Sequence, residues 1–441
     1  MWDVLKVRAL VREEGLKQSM RVFNWKELKI LHGTGEYLMF DNRNKRNLTR
    51  RKALSLLGVG AGSIAVQAAF PTRFAIGGDA KIKIGTLLPY SGTYTWLGES
   101  ITNSFEQALS SHGGKLGGRN FELIKVDSEA KPPKAAGLTN KLIDQEKVDF
   151  IVGPVHSGVA MAMTKIAREE NMMTVIPNAG ANQVTGPLCS PNVFRTSFSN
   201  WQPGHPMGKV LLEEGKNTAV LCYWSYGAGK QSAEGFKDSF VQGGGKVLKE
   251  IGIPFPKVEF QAALTEIAAI KPDAVYVFFA GAGAVKFVKD WAAAGLKDKI
   301  ELVGPGFLTE GVTQAQGDAA EGIRTTLHYA DTLDNAANRK FRAAYKRAFG
   351  KEADVYGVQG FDAGQLIRAG VDSVRGDVSA QYDMIAAMER AVIDSPRGKW
   401  VFSPAHNPVQ NFYLREVRGG VNEVVRIAME NLADPARGCR A

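Results

Sequence analysis

From Lys81 onward the chain alternates short apolar runs with amphipathic runs of about 12 to 16 residues, the rhythm of parallel strands covered by helices. The first series of strands is "KIKIGTLLP", "FELIKVD", "VDFIVGP" and "MMTVIP", separated by helical stretches at Gly98–Ser111, Pro133–Gln145 and Val159–Glu170. "FRTSFSN" leads into a second series, "NTAVLCYW", "GKVLKEIGIP", "PDAVYVFFAG" and "IELVGPG", with helices at Gly229–Gln242, Glu259–Ile270 and Ala284–Ala294. After "EGIRTTLHYA" the pattern turns helical through Asn335–Phe349, Val355–Val374 and Gln381–Val392, and two short strand-like pieces, "NFYLREV" and "EVVRIAM", close the chain. The two series share one plan, so two α/β lobes are predicted. The late helices complete the first lobe and the last strands return to the second, with crossings near Ser199–Gln202, His328–Asp331 and Arg397–Ser403.

The first 79 residues do not share this rhythm. Arg50 and Arg51, followed by an uncharged stretch rich in Ala, Gly, Leu and Val up to Thr72, have the order of an export leader: basic, weakly apolar, then small. The pattern resembles a twin-arginine signal, with Ala53 where that signal prefers Phe. Gly58, Gly60, Gly62 and Ser63 weaken the stretch as a membrane span, which needs about 20 strongly apolar residues. A cleaved leader over 39–79 is therefore expected, with a cut at Val66-Gln67-Ala68 or later. Residues 1–38 read as an extension upstream of a truer start at Met39. The run Gly58–Ser63 nearly spells a dinucleotide loop, but neither a preceding strand nor a following acidic residue supports it.

Removing this region changes the charge picture. The whole chain holds 55 Lys and Arg against 45 Asp and Glu, yet 14 of the former and 7 of the latter lie in residues 1–79. The remainder is near balance and gathers no basic stripe, which argues against nucleic acid. Of the three cysteines, Cys222 sits inside the apolar strand "TAVLCYW", whereas Cys189 and Cys439 lie in surface-like stretches, "GPLCSPN" and "DPARGCR". A Cys189–Cys439 bridge and a buried free Cys222 are expected, since an oxidising compartment permits a disulfide. Cys189 comes too late to carry a lipid after the leader, so a soluble, exported, periplasmic protein is expected.

Four stretches in order carry a resemblance: "KIKIGTLLPYSGTYTWLGES", "LIDQEKVDFIVGPVHSGVAMAMTKIAREENMMTVIPNAGANQVT", "PNVFRTSFSNWQPG" and "AVYVFFAGAGAVKFVKDWAAAGLK". From about Lys81 to Ala441 the chain resembles the branched-chain amino-acid type of ABC-transporter substrate-binding protein. The resemblance implies an α/β type I periplasmic-binding fold: two Rossmann-like lobes with parallel sheets, joined by three crossovers and closing on a small ligand. The lobes would be 80–199 with 329–397, and 200–328 with 398–441. It also implies a monomer that needs no cofactor and whose partners are an ABC permease and its ATPase.

Ligands of open α/β sheets bind beyond the carboxyl ends of the strands. Ser157 in "GPVHSGVAMAM" opens a helix there, where a carboxylate would meet free N–H groups, the positive helix end and a hydroxyl; a plain helix cap is the bland reading. The matching family serine binds the ligand carboxylate. Asn178, Ala179 and Gly180 match the family's second carboxylate-contacting turn, with Gly180 where amino-acid binders often offer a hydroxyl; an ordinary turn is the bland alternative. Trp96, Tyr226 and Phe361 match positions that wall the ligand, and Phe279 at the end of "PDAVYVFFAG" joins them as a candidate. His156 could read a ring hydroxyl. The strongest discriminator is an absence: the resemblance places a carboxylate for the ligand's ammonium after the "GP" of "IELVGPG", where this chain has Gly306, and Ala280 and Gly281 stand where a polar or aromatic residue is common. A buried ammonium without a partner is costly. An aromatic or other hydrophobic carboxylic acid lacking an α-amine is the expected ligand, with a branched-chain amino acid as the alternative. A ligand-sensing subunit for a receptor kinase would share this pocket, and the end of the chain at Ala441 favours transport. The scattered histidines, and the absence of HExxH, GxSxG or phosphate-loop spacing, argue against an enzyme.

Overall fold

The computed structural model describes residues 80–111 and 113–440. The expected leader over 39–79 and the extension 1–38 lie outside the described residues. Strands β1 (Ile82–Leu88), β2 (Phe121–Asp127), β3 (Phe150–Val152), β4 (Thr174–Ile176) and β5 (Val193–Arg195) form one wholly parallel sheet in the order β2-β1-β3-β4-β5. Helices α1 (Thr95–Ser110), α2 (Pro132–Asn140) and α3 (Ser157–Glu169) belong to this series. The inner strands are buried on both faces, with Ile84, Phe150 and Val175 on one side and Leu87, Ile151 and Ile176 on the other all inaccessible to solvent, whereas the edge strand β2 is only partly buried.

The chain then passes to a second sheet, β6 (Thr218–Trp224), β7 (Lys246–Ile253), β8 (Ala274–Phe278), β9 (Glu301–Pro305) and β10 (Arg324–Leu327), all parallel. Its helices are α4 (Trp201–Glu213), α5 (Gly227–Phe240), α6 (Gln261–Ile270), α7 (Gly281–Ala293) and the single turn α8 (Thr313–Gln316). After β10 the chain returns: α9 (Ala336–Phe349), α10 (Val355–Ser373) and α11 (Gln381–Glu389) follow, and α10 lies against α1. The approach is close because Gly360 has no Cβ; one built there would stand 2.2 Å from the Ile101 carbonyl oxygen. A third crossing leads to β11 (Val401–Phe402), β12 (Pro408–Arg418) and β13 (Val421–Leu432) on the second sheet. The architecture is the two-sheet, three-crossover α/β plan read from the sequence.

Two features depart from that reading. The second sheet is not wholly parallel: β12 runs antiparallel to β10, and β13 antiparallel to β12. The turn is Gly419-Gly420, with φ of 55° and 77°, the left-handed pair that a tight hairpin demands. The two strand-like pieces are therefore arms of 11 and 12 residues, longer than their apolar cores. Helix α4 also went unread, because Pro203 and Pro206 interrupt its pattern. Pro203 falls in the first turn, where a missing N–H costs little, and tight packing on α5 holds the rest. There a Cβ on Gly204 would stand 2.2 Å from the Ser232 carbonyl oxygen.

The cysteines are placed as read. Cys189 and Cys439 are bonded, with their Cα atoms 5.6 Å apart, and Cys222 is free and buried. Burial pushes the Cys222 thiol up to about 12, so it stays an inert core group.

Candidate functional site

The carboxyl ends of the strands in both sheets converge on one cavity. The first sheet contributes Tyr94 and Leu97 from the segment after β1, Ser157 from the segment after β3, and Asn178 and Gly180 from the turn after β4. Phe198 and Asn200 come from the crossing after β5. The second sheet contributes Tyr226 and Ala228 after β6, Phe278 and Ala280 at the end of β8, and Phe307 after β9, while Tyr356 enters from the start of α10. Six of these residues are aromatic and none carries a charge.

The two sides meet at the mouth. Tyr94 and Tyr226 share a hydrogen bond between their hydroxyls at 2.9 Å, and Tyr226 stacks on His156 with ring centres 4.5 Å apart. Burial raises both phenol pKa values, so both hydroxyls stay protonated. Asn200 donates to Ser157 Oγ at 3.1 Å and to Gln231 at 2.8 Å, joining the crossing segment to helices α3 and α5.

The electrostatics follow from helix ends. Tyr94, Tyr226 and Ala280 are the N-cap residues of α1, α5 and α7, and none of their side chains accepts a hydrogen bond from the helix it caps. Ser157 and Tyr356 are in the first turns of α3 and α10. The starts of five helices therefore face a cavity with no charged side chain; that of α10 is already met by Asp354 and Glu310, and the other four favour an anion over a cation. The hydroxyls point the same way. Ser157 Oγ already accepts from Asn200, so its own hydrogen is free to donate. The Tyr94–Tyr226 pair uses one of its two hydrogens on itself and leaves one over. Tyr356 Oη is buried without a hydrogen-bond partner among the described residues.

The candidates from the sequence divide accordingly. Ser157, Asn178, Gly180 and Tyr226 line the cavity. Ser157 is not the cap of its helix; that position is His156, whose Nδ1 accepts from the Gly158 N–H at 3.0 Å. His156 thus stands behind Tyr226 rather than on the cavity wall. Ala179 is turned into the core, and its N–H donates to the Pro154 carbonyl. Gly180 has no room for a hydroxyl, because a Cβ there would lie 2.3 Å from Asn200 Oδ1.

Trp96, Phe279 and Phe361 are not on the wall. Trp96 lies edge-on to Tyr356 at 5.2 Å and faces an open depression on its other side. Phe279 packs with Phe260 and Phe287 in the core of the second sheet, because alternation along β8 gives the cavity to Phe278 instead. Phe361 packs on Phe341. Gly306 is also outside the lining. A Cβ there would stand 2.4 Å from Arg415 Nη2 and 2.6 Å from Leu327 Cβ, so this position admits no acidic side chain without repacking. Sequence reasoning missed Tyr94, Phe198, Asn200, Phe278, Phe307 and Tyr356. Their segments were recognised, and the signal that could have found Tyr94 and Tyr356 is their place at helix starts.

Burial pushes the His156 imidazole down to about 4, so it is neutral at pH 7. Its folded pKa lies below the unfolded value of about 6.5, so its stabilisation is complete above pH 6.5 and is lost as the pH falls towards 4. His156→Asn, which keeps a capping side chain, is expected to be less acid-sensitive than the parent. Denaturant unfolding of both proteins at pH 7 and pH 4.5 should give a difference of differences of about 2–3 kcal/mol. An equal loss in both would show that His156 does not titrate with unfolding.

Among the described residues no cluster of His, Cys, Asp and Glu could hold a metal ion, and no helix is long and apolar enough to cross a membrane. Two parallel-sheet units closing their strand ends on one apolar, anion-favouring cavity define a solute-binding protein of the two-lobed α/β class. The chain belongs to the periplasmic binding protein family, whose profile matches residues 81–421, and within it to the branched-chain amino-acid-binding type. It is 54% identical to an ABC-transporter solute-binding protein of R. palustris solved in complex with benzoate, with a TM-score of 0.80 over 82% of this chain and 100% of that one. It is 29% identical to a solute-binding protein of Rhodopseudomonas palustris BisB5 in complex with 3,4-dihydroxybenzoic acid, with a TM-score of 0.76 over 80% and 99% of the two chains. It is also 30% identical over 375 residues to Leu/Ile/Val-binding protein homolog 6 of Brucella melitensis, covering 83% of this chain and 93% of the relative.

Proposed function

We propose that this protein is the substrate-binding component of an ABC importer and that its ligand is an aromatic carboxylic acid without an α-amine. The observation that carries this reading is the cavity itself: rings on its walls, five helix N-termini and unused hydroxyl hydrogens facing it, and no carboxylate to hold an ammonium. The deprotonated acid sits with its carboxylate at Ser157 and the Tyr94–Tyr226 pair, and with its ring between Phe198, Phe278 and Phe307. The benzoate-bound relative supports the same class. An amino acid would bring an ammonium into a site whose lining holds no carboxylate, and Glu310 is already paired with Arg415 at 2.6 Å.

In this reading residues 80–199 with 329–397 form one lobe and 200–328 with 398–441 the other, and the ligand stabilises their closed arrangement. An open form samples closure at a cost, and an acid touching both lobes shifts the equilibrium by its differential affinity. The closed form then docks on a membrane permease from the periplasmic side. No step in this cycle asks the protein for catalysis.

The test is a thermal-shift comparison of residues 80–441 with benzoate and with leucine. A ligand at 100 times its dissociation constant stabilises the native state by about 2.7 kcal/mol. A shift with benzoate and none with leucine is expected. A shift with leucine alone would overturn the ligand assignment.

A further inference from the structure

Tyr356 is 1% exposed, and its hydroxyl is one of the described buried polar atoms without a hydrogen-bond partner. Such groups are rare in native proteins, because an unpaired buried hydroxyl forfeits the hydrogen bonds it makes to water. This one also lines the ligand cavity. Its position is firmly set. Asp354 caps α10 by accepting from the Gly357 N–H at 2.8 Å and from Ser100 Oγ at 2.8 Å, and the Val355 N–H donates to Glu310 at 2.7 Å. The Trp96 ring lies edge-on to the phenol at 5.2 Å. A side chain braced on both sides of its attachment, with a free hydroxyl, is preorganised to meet a polar atom brought by something else.

A run of rings links Tyr356 to the pole at which the carboxylate is placed. Ring centres step from Tyr226 to Phe278 at 6.1 Å, from Phe278 to Phe307 at 6.1 Å, and from Phe307 to Tyr356 at 6.3 Å. Ser157 and the Tyr94–Tyr226 pair stand at the beginning of that run, and Tyr356 stands at its end. A benzoic acid held by its carboxylate at Ser157 would lay its ring along this run, on which Tyr356 offers the unpaired hydroxyl.

We infer that Tyr356 is a specificity-determining residue that reads an oxygen substituent on the ring, so that the protein selects ring-hydroxylated aromatic acids over unsubstituted benzoate. The inference rests on the aromatic-acid reading above. A phenolic hydroxyl on the ligand both donates and accepts, as Tyr356 Oη does, so the pair satisfies the buried hydroxyl whichever group gives the proton. An unsubstituted ring leaves it unpaired.

The experiment is calorimetric titration of residues 80–441 and of Tyr356→Phe with benzoate, 3-hydroxybenzoate and 4-hydroxybenzoate. Phenylalanine keeps the ring and its contact with Trp96 and removes only the hydroxyl. In the parent protein one of the hydroxybenzoates is expected to bind about tenfold more tightly than benzoate. In Tyr356→Phe that preference should vanish, the preferred hydroxybenzoate losing about tenfold more affinity than benzoate does. Equal affinity for all three acids in the parent, or a preference that survives the substitution, would overturn the inference and leave the aromatic-acid reading standing. A loss of affinity that is the same for benzoate and the hydroxybenzoates would place the carboxylate at Tyr356 and also overturn it. If none of the three binds, the aromatic-acid reading itself fails, and the thermal-shift comparison with leucine identifies that case separately.

Discussion

Replacing Ser157 and Tyr226 together by alanine is expected to weaken binding of a benzoate-type acid by well over tenfold. Ser157 brings a hydroxyl hydrogen with no acceptor among the described residues, at the start of α3, and a hydrogen bond to a charged group is worth about 1.5–3 kcal/mol. Tyr226 brings part of the wall and half of the hydroxyl pair with Tyr94 that spans the mouth of the cavity. Its loss also uncovers His156. Because the two side chains come from opposite sheets, the double variant weakens both contact with the acid and the closed arrangement. Calorimetric titration, with circular dichroism to confirm the fold, is the measurement. Affinity unchanged within about twofold would remove the pocket assignment.

The second large effect lies beneath the site. Arg415 on β12 is inaccessible to solvent and donates to Glu310 at 2.6 Å, to the Tyr329 carbonyl at 2.8 Å and to the Gly306 carbonyl at 3.0 Å. Glu310 in turn accepts from the Val355 N–H at the head of α10. Burial raises the Glu310 carboxyl, and the guanidinium opposes that rise. Arg415→Ala removes the compensating charge and leaves three acceptors short of a donor, which is expected to cost about 3–5 kcal/mol. A paired change, Glu310→Gln with Arg415→Met, should be less damaging than Arg415→Ala alone, since no uncompensated charge remains. Urea unfolding of the three proteins checks the order. A single variant as stable as the parent would mean that water or a neighbouring group replaces the guanidinium.

The segments that form the cavity were legible in the sequence, whereas several of the side chains that face it were not. The apolar runs located four strands of each parallel series, most plainly the inner ones, because a strand buried on both faces must be apolar along its length; the short β5 and β10 were not singled out, and the edge strands β2 and β7 are partly exposed. The turn after β3 and the turn after β4 were likewise evident. Within a segment, however, the side chain that reaches the cavity is chosen by one step of strand alternation or a fraction of a helical turn. Phe278 and Phe279 are adjacent and chemically the same, yet one lines the cavity and the other fills the core. Tyr94 precedes Trp96 by two residues at the head of α1, and the cavity receives the tyrosine. Gly306 is another case: it was singled out for lacking a carboxylate, yet it lies outside the lining, and the space beside it is taken by the guanidinium of Arg415, more than a hundred positions later.

What the sequence by itself determined is the alternation of strand and helix, the doubling of that plan, the pairing expected of Cys189 and Cys439, and the family. These rest on local periodicity and on short motifs whose meaning travels with their neighbours in the chain. Only the tertiary structure decided which rings wall the cavity, that five helix starts face it together, and that the hydroxyl of Tyr356 is left without a partner. Those properties belong to distances between residues far apart in sequence. A pattern along one chain carries no information about which face of one element meets which face of another until the core has packed.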